Sequence, residues 1–416
     1  MRRADSAAAG TGGGTETGPG PARVEQRGPL SGLRVLDLSR VRAGPTCVKF
    51  LGDFGADVIK IERPDGGGDP MGDDRYSSDY VNAQRNKRGM TLDLKRPEGV
   101  AVLRRLVETA DVLVENFRPD VKHRLGVDYD SLAAVNPRLV YTSISAFGES
   151  GPYRDRPGFD LIAQGMGGLM WLNGYPDQGP LRAGISPADL SAGIFAALGT
   201  MIALLEREGS GRGQWVQTNL LSSQIMLLDY QAMRWLMDRT VPVQRGNDHP
   251  QIIPTGAFRS SDGYFTLSTV GNESYRRLCH AIGAPELAAD PRFLTAALRD
   301  QHRAEVNAAI EAVTCGKTTH EWVEILNSAG VPAGPIYKVD EMFADPQVRA
   351  TGIVQSLDHP KLGPVEILGQ PITLSRTPAQ FSKPPPELGQ HTDDVLREAG
   401  FGPDAIAELR RHQIIG

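Results

Sequence analysis

The residue most able to do chemistry in this 416-residue chain is Asp189. It lies in Pro187-Ala188-Asp189-Leu190-Ser191-Ala192-Gly193, where a loop gives way to an uncharged run from Leu190 to Leu205. Ile194, Phe195, Leu198, Met201, Ile202 and Leu205 recur at helical spacing, which predicts a buried core helix with Asp189 at its N-cap. There a carboxylate accepts backbone N–H groups and feels the positive end of the helix dipole, so it should stay ionised at neutral pH. The run is shorter than the ~18 apolar residues of a membrane span. Two readings stand at this point: Asp189 is only a cap, or it is a carboxylate nucleophile.

The other acid–base candidates are weaker. Of the eight histidines, His249 is the best placed, in the polar stretch Arg245-Gly246-Asn247-Asp248-His249-Pro250-Gln251. No H-E-x-x-H and no G-x-S-x-G occurs, which removes the zinc-protease and α/β-hydrolase readings. Three scattered cysteines, Cys47, Cys279 and Cys315, form neither a disulfide framework nor a metal set, and fit a reducing cytoplasm. No metal site is expected.

The elements that must position these groups alternate. Strands are predicted at Leu33–Leu38, Asp57–Glu62, Met90–Leu94, Asp111–Glu115 and Leu139–Ile144, with helices at Thr46–Phe54 and from Pro97 to about Thr109. This is a βαβ pattern, hence an α/β fold with a mostly parallel, Rossmann-like sheet. Ligands bind such sheets at the carboxyl ends of the strands. Cations follow most of those ends: Arg40 and Arg42, Arg63, Lys95 and Arg96, then Arg118, His123 and Arg124. Arg85-Asn86-Lys87-Arg88 adds further charge, giving a local basic rim in a chain of net charge −5. No G-x-G-x-x-G and no G-x-x-x-x-G-K-[ST] is present, yet the rim suits a ligand with several phosphates.

Four regions are expected. Residues 1–27, rich in Gly, Ala, Thr and Pro, read as a disordered tail. Residues 28–229 form the large α/β domain. A strand at Trp215–Asn219 and a helix from Leu220 to about Asp238 close it. Residues 230–330 form a smaller α+β domain with a hairpin at 256–267 and three helices. The Pro-rich segment 331–416 wraps back onto the large domain. Net charge and composition give no sign of a nucleic-acid or membrane partner.

Three stretches then take on a specific meaning. Leu30-Ser31-Gly32-Leu33-Arg34-Val35-Leu36-Asp37, the run Leu51-Gly52-Asp53-Phe54-Gly55-Ala56-Asp57-Val58-Ile59-Lys60-Ile61-Glu62, and Asp111-Val112-Leu113-Val114-Glu115-Asn116-Phe117 strongly resemble the family III CoA-transferases. Ala43-Gly44-Pro45 and Gly389-Gln390-His391-Thr392 fit as well. The resemblance runs from about 29 to 400. It implies transfer of CoA from an acyl-CoA to a free carboxylic acid, with no permanently bound cofactor. Asp189 matches the family's nucleophile: it would form a mixed anhydride, then an aspartyl-CoA thioester, with helix-start N–H groups stabilising each oxyanion. By position, Arg42, Ala43, Arg63, Leu92, Lys95, Asn116, Phe117 and Arg124 match CoA contacts, although family members often have Gln or Leu at Arg42. Arg156, Pro157, Gly158 and Phe159 match the segment lining the CoA channel. The family's glycine-rich flap corresponds to Asn247, His249 and Gln251, which implies a substrate-facing His249.

The family's racemases carry a Gly-His-Asp motif. Here the chain reads Gly158-Phe159-Asp160, and phenylalanine transfers no proton, so the racemase or isomerase alternative is disfavoured. A non-catalytic CoA-binding protein is the remaining alternative. The resemblance also implies an interlocked homodimer. Asn219–Gln224 and the His249-Pro250 loop resemble the succinate–hydroxymethylglutarate type, which implies a dicarboxylate donor or acceptor.

Overall fold

The computed structural model describes residues 28–67 and 69–416; the tail expected over 1–27 lies outside the described residues. Strands β1 (Arg34–Asp37), β2 (Asp57–Glu62), β3 (Lys87–Thr91), β4 (Val112–Glu115), β5 (Val140–Ser145) and β6 (Trp215–Asn219) form one sheet in the order β3-β2-β1-β4-β5-β6. Every pairing in it is parallel. The order reverses between β1 and β4, which opens a crevice at the carboxyl ends of the strands.

Alternate residues of each strand face opposite layers. Leu36, Ile59, Met90, Leu113 and Tyr141 pack under one set of helices; Val35, Val58, Val112 and Val140 pack under another. The first layer holds helix α3 (Pro97–Val107), together with Val395, Leu396, Ile406, Ile414 and Ile415 from the C-terminal segment. That segment is tied to β3 by backbone bonds: Asp93 N–H donates to the Ile414 carbonyl (2.8 Å) and His391 N–H to the Gly89 carbonyl (2.8 Å). The second layer holds helix α1 (Ala43–Asp53) and the long central helix Pro187–Ser210. Between them in the chain come α2 (Ser78–Gln84), α4 (Pro119–Leu125), α5 (Tyr129–Ala133), α6 (Asp160–Met166) and α7 (Leu169–Leu172), so the central helix is α8.

The smaller unit pairs β7 (Thr255–Arg259) with β8 (Tyr264–Ser268) and β8 with β9 (Ala333–Pro335), all antiparallel. Helices Gly271–Ala281, Arg303–Thr314 and Thr319–Ser328 cover them around Phe258, Phe265, Leu278, Val306 and Trp322.

Four expectations need correction. The third strand begins at Lys87, not Met90. Arg85, Lys87 and Arg88 do not join the basic rim: Arg85 and Lys87 are buried on Asp53 and Asp37, and Arg88 holds Asp57 and Glu398. Charge adjacent to a strand signalled internal pairing, not solvent. Second, α8 buries its small residues. Ala192, Gly193, Ala196, Ala197 and Thr200 face inward, while Leu198 (55% exposed), Ile202 (58%) and Leu205 (76%) face outward. The small stripe lets backbones approach: a Cβ on Gly193 would lie 2.6 Å from the Ala43 carbonyl oxygen. Third, at 24 residues α8 is long and apolar enough to cross a membrane, contrary to the shorter run read from sequence; half of its most apolar stretch is buried in the protein. Fourth, the helix expected from Leu220 to Asp238 is split into Leu220–Met226 and Tyr230–Asp238 at Asp229, whose φ is 45°.

Candidate active site

A cavity of about 530 Å³ opens at the carboxyl ends of β1 to β4. Leu38, Ile61, Leu92, Leu94, Phe117, Val121 and Leu125 make it apolar; Arg40, Lys60, Arg63, Lys95 and Arg124 bring cations to it. Of the residues matched to CoA contacts, it gathers Arg63, Leu92, Lys95, Phe117 and Arg124. Arg40 and Lys60 were not on that list. Arg40 stands 5.4 Å over the Phe117 ring, and Lys60 is buried with Asp69 at 3.6 Å. Lys60 sits inside a strand that reads as plain core, so only the sheet geometry shows which way it faces.

Asn116 does not line the cavity. Its side chain brackets Arg40, accepting from the Arg40 N–H at 2.9 Å and donating to its carbonyl at 2.7 Å. The next residue, Val41, has φ 63°, a costly conformation for a β-branched side chain. Its N–H is held by Asp69 at 3.2 Å. This strained residue separates Arg40, which faces the cavity, from Arg42 and Ala43, which sit at the start of α1 beside the first turns of α8.

Asp189 lies in that first turn of α8, half-buried, two residues inside the helix. The N-cap is Ser186, and the expected cap role of Asp189 is taken from outside by Asp160. Asp160 Oδ1 accepts from the Ala188 N–H (2.9 Å) and the Asp189 N–H (3.3 Å), and its Oδ2 accepts from Gln164 (2.5 Å). Gln164 also receives the Ala183 N–H at 2.9 Å, fixing the loop that enters α8. The N–H groups expected to await an oxyanion are therefore occupied. Asp160 and Gln164 were missed in these roles; their four-residue spacing on α6 was the available signal.

Because Asp160 takes the helix donors, the Asp189 carboxyl is left to its surroundings. Burial pushes its pKa up, the neighbouring Asp160 pushes it further, and Arg42 pulls it back, leaving it at about 6 rather than near 3.8. The expectation of a carboxylate favoured by its helix is thus reversed, although at neutral pH it remains mostly ionised. Replacing Asp189 with asparagine should then stabilise the fold. The folded carboxyl has the higher pKa, so its penalty is absent below about pH 4 and complete above about pH 6. We expect Asp189→Asn to gain about 1–2 kcal/mol at pH 8 and nothing at pH 4, read from denaturant melts at both pH values. A gain independent of pH would contradict the assignment.

The segment before Asp160 follows the surface. Arg156 stacks 3.7 Å from the Tyr153 ring centre, Pro157 is exposed, and Phe159 is 67% exposed. Gly158 is required, since a Cβ there would meet Ala146 at 2.6 Å and Phe147 at 2.9 Å. His249 is oriented by its own loop. Its Nδ1 accepts the N–H groups of Gln251 (3.1 Å) and Ile252 (3.0 Å), and burial, with Arg303 nearby, holds the ring below its usual pKa. Arg303 also binds the His249 and Pro250 carbonyls, and Asn247 donates to Tyr175. The 247–251 stretch is a pinned loop, and among the described residues no hydrogen bond or ion pair links it to Asp189. Among the described residues no cluster of His, Cys, Asp or Glu could hold a metal.

The doubly wound sheet thus carries a cation-lined cavity at its strand ends and a half-buried carboxylate near a helix start. The chain belongs to CoA-transferase family III, whose profile it matches over residues 30–392. It is 40% identical over 381 residues to the succinate–glutarate CoA-transferase of Agrobacterium fabrum, covering 89% of this chain and 95% of that one. It is 35% identical to the succinyl-CoA:glutarate CoA-transferase of Mus musculus, covering 92% and 89%. A CAIB/BAIF family protein from Brucella suis, solved by crystallography, superposes with a TM-score of 0.79 at 37% identity, over 90% of this chain and all of that one. The chain is thus an enzyme that moves CoA from an acyl-CoA to a carboxylic acid, as the sequence resemblance implied.

Proposed function

We propose that this enzyme exchanges CoA between short dicarboxylates, with Asp189 as the covalent carrier. The observation that carries the reading is the half-buried Asp189 carboxyl, unbonded by the donors of its own helix and raised to about 6. Such a carboxylate is ionised at neutral pH yet poorly solvated, which favours attack on a thioester carbonyl. The carboxylate oxygen bonds to the acyl carbon and the thiolate of CoA leaves, giving a mixed anhydride. The thiolate then attacks the aspartyl carbonyl and expels the free acid. An acceptor carboxylate attacks the aspartyl thioester, and CoA finally returns to the new acyl group while Asp189 is regenerated. The cavity at Arg63, Lys95 and Arg124 suits the phosphate-bearing end of CoA. The dicarboxylate class is supported by the named activities of the relatives. Incubation with succinyl-CoA followed by hydroxylamine should convert Asp189 to a hydroxamate, seen by peptide mass spectrometry. An unmodified Asp189 in an enzyme that turns over would defeat the carrier role.

An interlocked dimer is part of the same proposal. The outward ridge of Ile194, Leu198, Ile202 and Leu205 on α8 is apolar and exposed in the single chain, as a subunit contact would require. Sedimentation should then give twice the chain mass of 44.9 kDa; a monomer at micromolar concentration would refute it.

A further inference from the structure

Resting on the dicarboxylate reading above, we infer that Arg42 recognises the second carboxylate of the acid substrate, the one that does not receive CoA. Its place in the fold comes first. Arg42 immediately precedes α1, whose first residue meets α8 at Gly193. Gly193 lies one turn beyond Asp189 on the same face of α8. Two helix starts therefore meet at one edge, and Arg42 and Asp189 are both on it.

The charge balance of that edge comes second. Asp160 and Asp189 already place two carboxyls there, and a dicarboxylate brings two more. Without a cation the site would repel its own substrate. Arg42 is the cation whose charge reaches Asp189. Other cations have other places in the fold. Arg40, Lys60, Arg63, Lys95 and Arg124 line the CoA cavity, Arg156 lies on Tyr153, and Arg182 bonds the neighbouring Ala183 carbonyl.

Arg42 is also available for exchange. Arg42 pairs with Asp79 at 3.2 Å, with both side chains partly exposed (32% and 60%). Such a surface pair is worth little and exchanges readily for another carboxylate. A guanidinium also matches a carboxylate with two parallel N–H bonds, which an ammonium cannot.

The test compares glutarate with valerate, an acid of the same length lacking the second carboxylate, each as acceptor from saturating succinyl-CoA, using the full chain. Arg42→Gln should raise KM for glutarate about 10- to 100-fold more than KM for valerate; the loss from a less ionised Asp189 falls on kcat with both acids alike, and calorimetric affinity for free CoA should stay unchanged. Arg42→Lys should recover part of the glutarate loss. An equal change in KM with both acids would overturn the proposal, since Arg42 would then serve the transition state or the fold; so would an unchanged glutarate KM. A wild-type enzyme that prefers valerate to glutarate would overturn the dicarboxylate reading itself, which hydroxylamine trapping on Asp189 tests separately.

Discussion

Replacing Asp189 with alanine is expected to lower transfer by at least about 10⁴-fold, while affinity for free CoA, measured by calorimetry, stays within about twofold. The two effects separate because the groups are separate. The cations that would hold the phosphates line a cavity at β1 to β4, and Asp189 is not among its lining residues. Loss of the carboxyl removes the atom that carries the acyl group, which no neighbour replaces: Asp160 is bound to two backbone N–H groups and to Gln164. The wild-type enzyme should also lose kcat/KM as pH falls through about 6, where the carboxyl takes up its proton. Appreciable turnover in Asp189→Ala, or a flat profile down to pH 5, would remove Asp189 from the mechanism.

The second large effect is structural. Lys122 on α4 is fully buried, with Glu115 Oε1 at 2.8 Å and Glu149 Oε2 at 2.7 Å. Ser143 bonds both Lys122 and Glu115. Glu149 is close enough for charge attraction but misaligned for a hydrogen bond, so its oxygens depend on that one ammonium. Lys122→Met would strand two buried carboxyls and should cost about 3–5 kcal/mol in denaturant melts. Burial already pushes the Glu115 carboxyl up despite Lys122. In the variant the Glu115 carboxyl, no longer opposed by Lys122, would titrate further above its unfolded value, so the loss should be larger at pH 8 than at pH 5. Adding Glu115→Gln and Glu149→Gln should recover much of it. A loss below about 1 kcal/mol would mean the cluster is not held as described.

Much of this was legible in the sequence, for definable reasons. Short apolar runs with alternating helices gave the parallel sheet, and β6 falls on the predicted residues. Cations after successive strands converge because strand direction is shared: Arg40, Arg63, Lys95 and Arg124 reach one cavity. What failed was facing. Helical spacing marks an apolar stripe but not whether the fold or another surface covers it: of the expected core stripe of α8, Met201 packs inward while Ile194, Leu198, Ile202 and Leu205 face outward. Likewise, no local pattern reveals that Lys87 reaches Asp37, or that Asp160, distant along the chain, reaches the turn that holds Asp189. His249 drew attention as a histidine in a polar loop, yet its ring is an acceptor that shapes the loop.

The closure of the large sheet by late residues has a consequence for biosynthesis. The Gly416 N–H donates to the Thr91 hydroxyl across 325 positions, and Ile414 and Ile415 complete the layer over β1 to β4. A nascent chain carries that face only partly covered, by α3, until those late residues emerge, so the strands made first are sealed by residues made long after them.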